Sequence, residues 1–98
     1  MSKYQNSKIY FIASKHTRQI YIGSTTQTLK ERLRKHEINY NNYLNNKYNF
    51  VSSFDIIKLN DYSIHLLEKY PCNCRKELET REGFCIKLYD NNCVNKYI

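Results

Sequence analysis

No stretch of this sequence approaches the roughly 20 consecutive apolar residues that a membrane helix requires. It also lacks a lipidation motif and a Lys/Arg block of the kind that holds a protein on an anionic membrane surface. The opening residues, Met1-Ser2-Lys3-Tyr4-Gln5-Asn6-Ser7, carry no apolar stretch of a signal peptide. These absences exclude a membrane partner and predict a soluble, intracellular, non-secreted protein. Tryptophan is missing too, which leaves ten tyrosines to dominate the aromatic content. No linker or internal repeat divides the chain, and 98 residues suit one compact domain over positions 1–98.

What is present is positive charge. Sixteen Lys and Arg against nine Asp and Glu leave a formal charge of +7, which favours a polyanionic partner, and nucleic acid is the simplest one. The four cysteines, Cys72, Cys74, Cys85 and Cys93, all fall in the last third, whereas a disulfide framework would be spread through the fold. Their gaps match no paired zinc-knuckle spacing, so buried, inert thiols are expected. The stretch from Asn39 to Asn49 is rich in Asn and holds Tyr40, Tyr43 and Tyr48. It reads as a loop whose tyrosines either meet a ligand or reflect compositional bias, with bias the favoured reading for most of them.

Lys8 to Ala13 and Gln19 to Ile22 are rich in β-branched and aromatic residues and are separated by the polar segment Ser14 to Arg18, which predicts an antiparallel hairpin. Gly23 then breaks the strand pattern. Thr28-Leu29-Lys30-Glu31 has the spacing of a capping box, opening a helix from about Leu29 to about Tyr40. Ser52 or Ser53 is expected to cap a short helix over Phe54 to Leu59, closed by a turn at Asn60-Asp61. Tyr62 to Glu68 reads as a third strand ending before Pro71, and Leu78, Cys85, Ile86 and Tyr89 recur at helical spacing over Arg75 to Tyr89. A short tail is left that can pair as an extra strand. This order describes a small α/β (α+β) domain of two or three layers.

Polar residues stand where a core should be. The inward stripe that Leu29 and Leu33 set on the first long helix also contains Arg32, His36 and Tyr40, and the stripe on the last helix passes over Glu82. Each has a structural explanation: Arg32 snorkelling to the helix edge, His36 hydrogen-bonded at its margin, Glu82 in an ion pair with Arg32. Together, an Arg, a His and a Glu directed inward from separate helices are the parts that phosphoryl hydrolysis requires. Glu82 can hold a hard divalent cation, Mg²⁺ or Mn²⁺, which keeps several waters and needs little more than one carboxylate and a phosphate oxygen. Arg32 can contact nonbridging phosphate oxygens. Tyr10 and Tyr21, one on each hairpin strand, are the remaining polar handles, and Arg32 together with a metal is expected to lower the ordinary tyrosine pKa of about 10.

Lys8-Ile9-Tyr10, Tyr21-Ile22-Gly23 and Leu29-x-x-Arg32-x-x-x-His36 resemble the signature of the GIY-YIG endonuclease family and its helix-borne Arg and His. Arg81-Glu82-Gly83-Phe84-Cys85-Ile86 is similar to the family's later Glu-bearing helix, and Val94-Asn95-Lys96 to its terminal Asn motif. The resemblance spans positions 8 to 96. It implies the GIY-YIG nuclease fold, a small central three-stranded antiparallel sheet flanked by helices, and a metal-dependent endonuclease acting on nucleic acid, DNA first. It also implies a single divalent metal on Glu82, Arg32 on the phosphate, Tyr10 as base, Tyr21 supporting the base or the phosphate, His36 assisting proton transfer and Asn95 organising the site. Lys8 stands in place of the motif's first Gly, and Cys85 where the family often has Trp.

Target choice is expected to come from a separate partner, a homodimer, substrate shape or the domain's own loops, since the chain ends two residues after Lys96. Lys8, Arg34, Lys35 and Lys47 are the candidate phosphate contacts, with tyrosines of the 39–49 stretch stacking on exposed bases. Two other classes remain: a non-catalytic nucleic-acid-binding module, whose binding would be salt-sensitive and metal-independent, and a zinc-stabilised interaction protein, which would unfold on chelation.

Overall fold

The computed structural model describes residues 2–95; Lys96, the last residue of the expected terminal motif, lies outside the described residues. β1 (Lys8–Ser14) and β2 (Ile20–Thr25) form the hairpin, α1 (Leu29–Leu44) and the short α2 (Phe54–Ile57) follow, and β3 (Tyr62–Lys69) leads to α3 (Arg75–Leu88). A 3-10 turn over Lys3–Asn6 precedes the hairpin and another, Asp90–Asn92, follows α3. The sheet is antiparallel with order β2-β1-β3, so the first strand lies in the middle and the second on an edge. This is the expected central three-stranded antiparallel sheet flanked by helices.

Side chains alternate across a strand, and β1 sends Ile9 to one face and Tyr10 and Ile12 to the other. Ile9 and Ile22 pack with Leu78, Cys85 and Ile86 of α3. Tyr10 and Ile12 pack with Ile56, Leu29 and Leu33 under α1 and α2. Three layers result, and β2 is the edge where residues of the two helical layers can meet. Its outer rim is closed by the tail: the Val94 amide donates to the Ile20 carbonyl at 2.8 Å, beside one parallel bridge between Ile20 and Cys93. The tail therefore covers an edge that would otherwise present unpaired backbone groups, through a single bridge among the described residues.

Several expectations need correction. Gly23 does not end its strand; β2 continues to Thr25, with Gly23 opposite Tyr10. A Cβ built at Gly23 would lie 2.4 Å from the Tyr10 hydroxyl oxygen and 2.5 Å from its Cζ, so the missing side chain is what lets the Tyr10 ring lie across β2. The capping box at Thr28 and Glu31 is present, but α1 runs on to Leu44, because Tyr40 and Tyr43 find an apolar partner in Phe54, at ring separations of 5.4 Å and 5.2 Å. Much of the Asn-rich stretch is thus helix, and two of its three tyrosines are engaged in packing. Ser53 makes no capping hydrogen bond to α2 and is fully buried. Cys72 and Cys85 are buried, but Cys93 is only partly so and Cys74 is exposed at the start of α3, so two of the four thiols depart from the expected burial.

Replacing Gly23 with Ala should force the Tyr10 ring out of place and lower stability by about 1–3 kcal/mol, the usual cost of overpacking a close contact. Urea denaturation of the variant beside the parent chain measures it, and an unchanged midpoint would show that the ring has room to give.

Candidate active site

Tyr10 has no exposed surface, and its hydroxyl lies between two helical residues. Arg32 donates from Nε to the Tyr10 oxygen at 3.1 Å, and His36 Nε2 lies 2.7 Å from the same oxygen. His36 Nδ1 is in turn 2.9 Å from the Ser53 hydroxyl. With Arg32 occupying a lone pair of the phenol, the consistent proton assignment has the Tyr10 O–H donating to Nε2 and the Nδ1–H donating to Ser53. Arg32 and His36 share a face because they are four residues apart on α1, the spacing that the Leu29–Leu33 stripe already defines.

Tyr21 lies beside this trio, its ring 6.4 Å from that of Tyr10 and 5.3 Å from the His36 imidazole. From β2 it also reaches a hollow of about 410 Å³ at the sheet edge, where Ser24, Arg32 and Glu82 join it. The hollow exists because α1 approaches β2 from one face and α3 from the other. Ser24 donates its hydroxyl to Glu82 Oε1. Arg32 and Glu82 are not an ion pair; among the described residues, ion pairs involve other partners. Arg32 spends Nε on Tyr10, and among the described residues its Nη groups make no hydrogen bond. Asn95 stands behind the wall: its Oδ1 accepts from the Ile22 amide at 2.9 Å and its Nδ2 donates to the Ile22 carbonyl at 2.7 Å. The side-chain amide thus pairs with β2 as a neighbouring strand would, next to Tyr21.

Burial dominates the electrostatics. It raises the Glu82 carboxyl above the usual carboxylate range, against the opposing pull of the Ser24 hydrogen bond and Arg32. It raises Tyr21 strongly. Of the two groups expected to lower Tyr10, Arg32 and a metal, Arg32 does act in that direction, but by itself it is outweighed by desolvation and the phenol is raised. His36 is pushed down to about 4, first by burial and then by the Arg32 charge, so it is a neutral imidazole at pH 7.

The remaining candidates lie elsewhere. Arg34 pairs with Glu37 at 3.8 Å beside a separate hollow that includes Tyr40 and Tyr62. Lys35 and Lys47 are exposed and do not line the hollow of Glu82. Lys8 donates to the Gln27 carbonyl at 2.6 Å, on the far side of Thr26 from that hollow. The sequence assigns no site role to Ser24 or Ser53, nor to Lys3, Arg75 and Glu79 at the rim. Ser24 has a signal in hindsight: it follows Gly23 on the strand that carries Tyr21.

A hard divalent cation is tested by the donor set. One carboxylate with an open, polar surround suits a largely hydrated Mg²⁺ or Mn²⁺, and Glu82 meets that requirement. Among the described residues no three His, Cys, Asp or Glu side chains gather as a closed metal cage would need.

A sequence model described as the GIY-YIG catalytic domain matches residues 6–97. Comparison with curated proteins and with solved structures gives no match.

The buried neutral His36 sets a pH dependence. Its folded pKa of about 4 lies below the ordinary 6.5, so between those values the unfolded chain binds more protons and stability falls as pH drops. The full loss from this group, reached below both values, is on the order of 3 kcal/mol. His36→Asn should be less stable than the parent at pH 8 yet lose less between pH 6.5 and 4, as read from urea midpoints across that range. Parallel pH profiles would contradict the assignment.

Proposed function

This chain belongs to the GIY-YIG nuclease family, and from that premise we propose that it is a divalent-metal-dependent endonuclease that hydrolyses phosphodiester bonds, most readily in DNA. The family gives a nucleic-acid substrate; the metal and the preference for DNA are our reading. The observation that carries it is the way Tyr10 fixes the Arg32 guanidinium through Nε while the hollow shared with Glu82 receives the rest of that side chain.

Arg32, held at one nitrogen, keeps both Nη groups for the nonbridging oxygens of a phosphate, where a fork of donors matches the charge that grows in the transition state. No donor has to reorganise during the reaction. Glu82 is the residue that would hold Mg²⁺ or Mn²⁺, with Ser24 steadying one carboxylate oxygen. When bound, the cation supplies charge neutralisation at the phosphate and the leaving oxygen. It would also reverse the upward push on the Glu82 carboxyl, because a neighbouring positive charge favours the ionised form.

Tyr10 is the proposed base. Its hydroxyl is buried behind Arg32, outside the lining of the hollow, with its proton held toward His36, so acting as base would require the attacking water to reach it past Arg32. Ser53 holds the far side of the imidazole and fixes its tautomer. Tyr21, on the wall of the hollow, supports the phosphate or the attacking water. Asn95 acts at one remove by pinning the strand that carries Tyr21.

Incubation of the protein with supercoiled plasmid at low salt should give nicked or linear product with Mg²⁺ or Mn²⁺ and none with EDTA. Glu82→Gln and Arg32→Ala should each lose at least about 100-fold in rate, the scale on which a single charge-stabilising group acts. Plasmid and oligonucleotide substrates left intact under every metal condition, with binding retained, would replace the enzyme by a non-catalytic binding module.

A further inference from the structure

A second, larger hollow of about 630 Å³ adjoins the first, and the two share Thr26 as a wall. It lies between the start of β1, the end of β3 and the segment that enters α1, and its volume is within the range of a small-ligand pocket, roughly 300–1,000 Å³. Two lysines line it. Lys8 and Lys69 are direct cross-strand partners on β1 and β3.

That pairing is unfavourable by itself, since like charges directly opposite each other destabilise a sheet. It follows from an irregularity. Tyr10 pairs with Leu66, but Ile9 pairs with Glu68, so Leu67 is an extra residue bulged out of β3. Continuing the register of Tyr10 and Leu66 without the bulge would set Lys8 opposite Glu68, an attractive pair. The bulge instead gives Glu68 to Arg81, which binds it with both Nε and Nη2, and brings Lys69 opposite Lys8. Lys8 is anchored on the Gln27 carbonyl, while among the described residues the Lys69 ammonium has no hydrogen bond or ion pair. Glu31 also lines the hollow, where its carboxylate accepts from the Thr28 amide and hydroxyl and feels the Lys8 charge, so it offsets Lys8 rather than Lys69. With Glu31 set against Lys8, the lining keeps one positive charge in excess, and it sits on Lys69.

We propose that the hollow between Lys8 and Lys69 is a subsite for the phosphodiester next to the one cleaved, with Lys69 as its principal charge. The inference rests on the nuclease reading for the identity of the strand: a chain whose scissile phosphate lies at Arg32 and Glu82 continues across Thr26 into the second hollow. Two phosphates are then held on either side of one wall, which fixes the path of the backbone without reading a base.

The test uses Glu82→Gln protein, EDTA and a fluorescein-labelled DNA duplex, so that binding is measured apart from cleavage. Adding Lys69→Gln should weaken binding roughly tenfold at low salt, the loss expected for one charge-assisted contact. It should also reduce the slope of log affinity against log salt by about one, the release of counterions from a single phosphate. Lys69→Arg should restore both. Unchanged affinity and slope in Lys69→Gln would overturn the subsite even if the parent chain cuts plasmid in Mg²⁺. A reduced slope with a parent chain that cuts nothing would leave the subsite standing and remove the nuclease reading instead. A parent chain that binds no duplex at any salt overturns both.

Discussion

One phenol oxygen ties this structure together. The Tyr10 hydroxyl is completely buried, and a buried polar group without partners costs about 1–3 kcal/mol, so its neighbours are constrained as much as it is. It accepts from Arg32 and donates to His36, and those two contacts fix the rotation of α1 over the sheet. It needs the space left by Gly23, which fixes what β2 can carry at that position. His36 then requires the Ser53 hydroxyl, which ties in the turn before α2. Four segments far apart in sequence are thereby committed to one arrangement by the need to satisfy a single hydroxyl and its ring.

The same network separates two tasks. Tyr10, His36 and Ser53 lie beneath the surface, whereas Tyr21, Ser24, Arg32 and Glu82 line the open hollow. Arg32 belongs to both, with one nitrogen inward and the others, among the described residues, without hydrogen bonds. A guanidinium suits that position better than an ammonium, because its planar fork can be oriented from one edge and still present donors from the other. Most ionisable groups here are held toward their neutral forms by burial, so charge is scarce in the site and the few charges that remain act strongly.

How much of this was legible in the sequence depends on the range over which each signal acts. Arg32, His36 and Glu82 stood out because they interrupt apolar stripes at helical spacing, a local pattern that needs no knowledge of the fold. The strands and long helices followed from periodicity and from the Thr28 capping box. Gly23 was misread as a strand end because its purpose lies in a ring 13 positions earlier, an order of contact that no local rule contains. Ser52 or Ser53 is the cap that residue type favours, and Ser53 does hold the cap position, but its hydroxyl faces an imidazole on another helix instead of the α2 backbone. The bulge at Leu67 left no sequence signal, since either register keeps apolar residues on the sheet. The burial that opposes Arg32 at Tyr10 is invisible in the sequence, which shows the neighbouring Arg but not the depth at which the phenol lies.

The clamp between Asn95 and Ile22 joins residues 73 positions apart, and Glu82 meets Ser24 across 58. Such closures form late, because loop entropy must be overcome before the contact contributes anything. A growing chain on the ribosome can form the hairpin and α1 early, complete with Tyr10, Tyr21, Arg32 and His36, yet it lacks Glu82 until α3 is made. On the nuclease reading, the site therefore lacks its proposed metal ligand until α3 has been translated. Where the product would be a broken nucleic-acid strand, the proposed chemistry is then held back by the order of biosynthesis itself until Glu82 has been added.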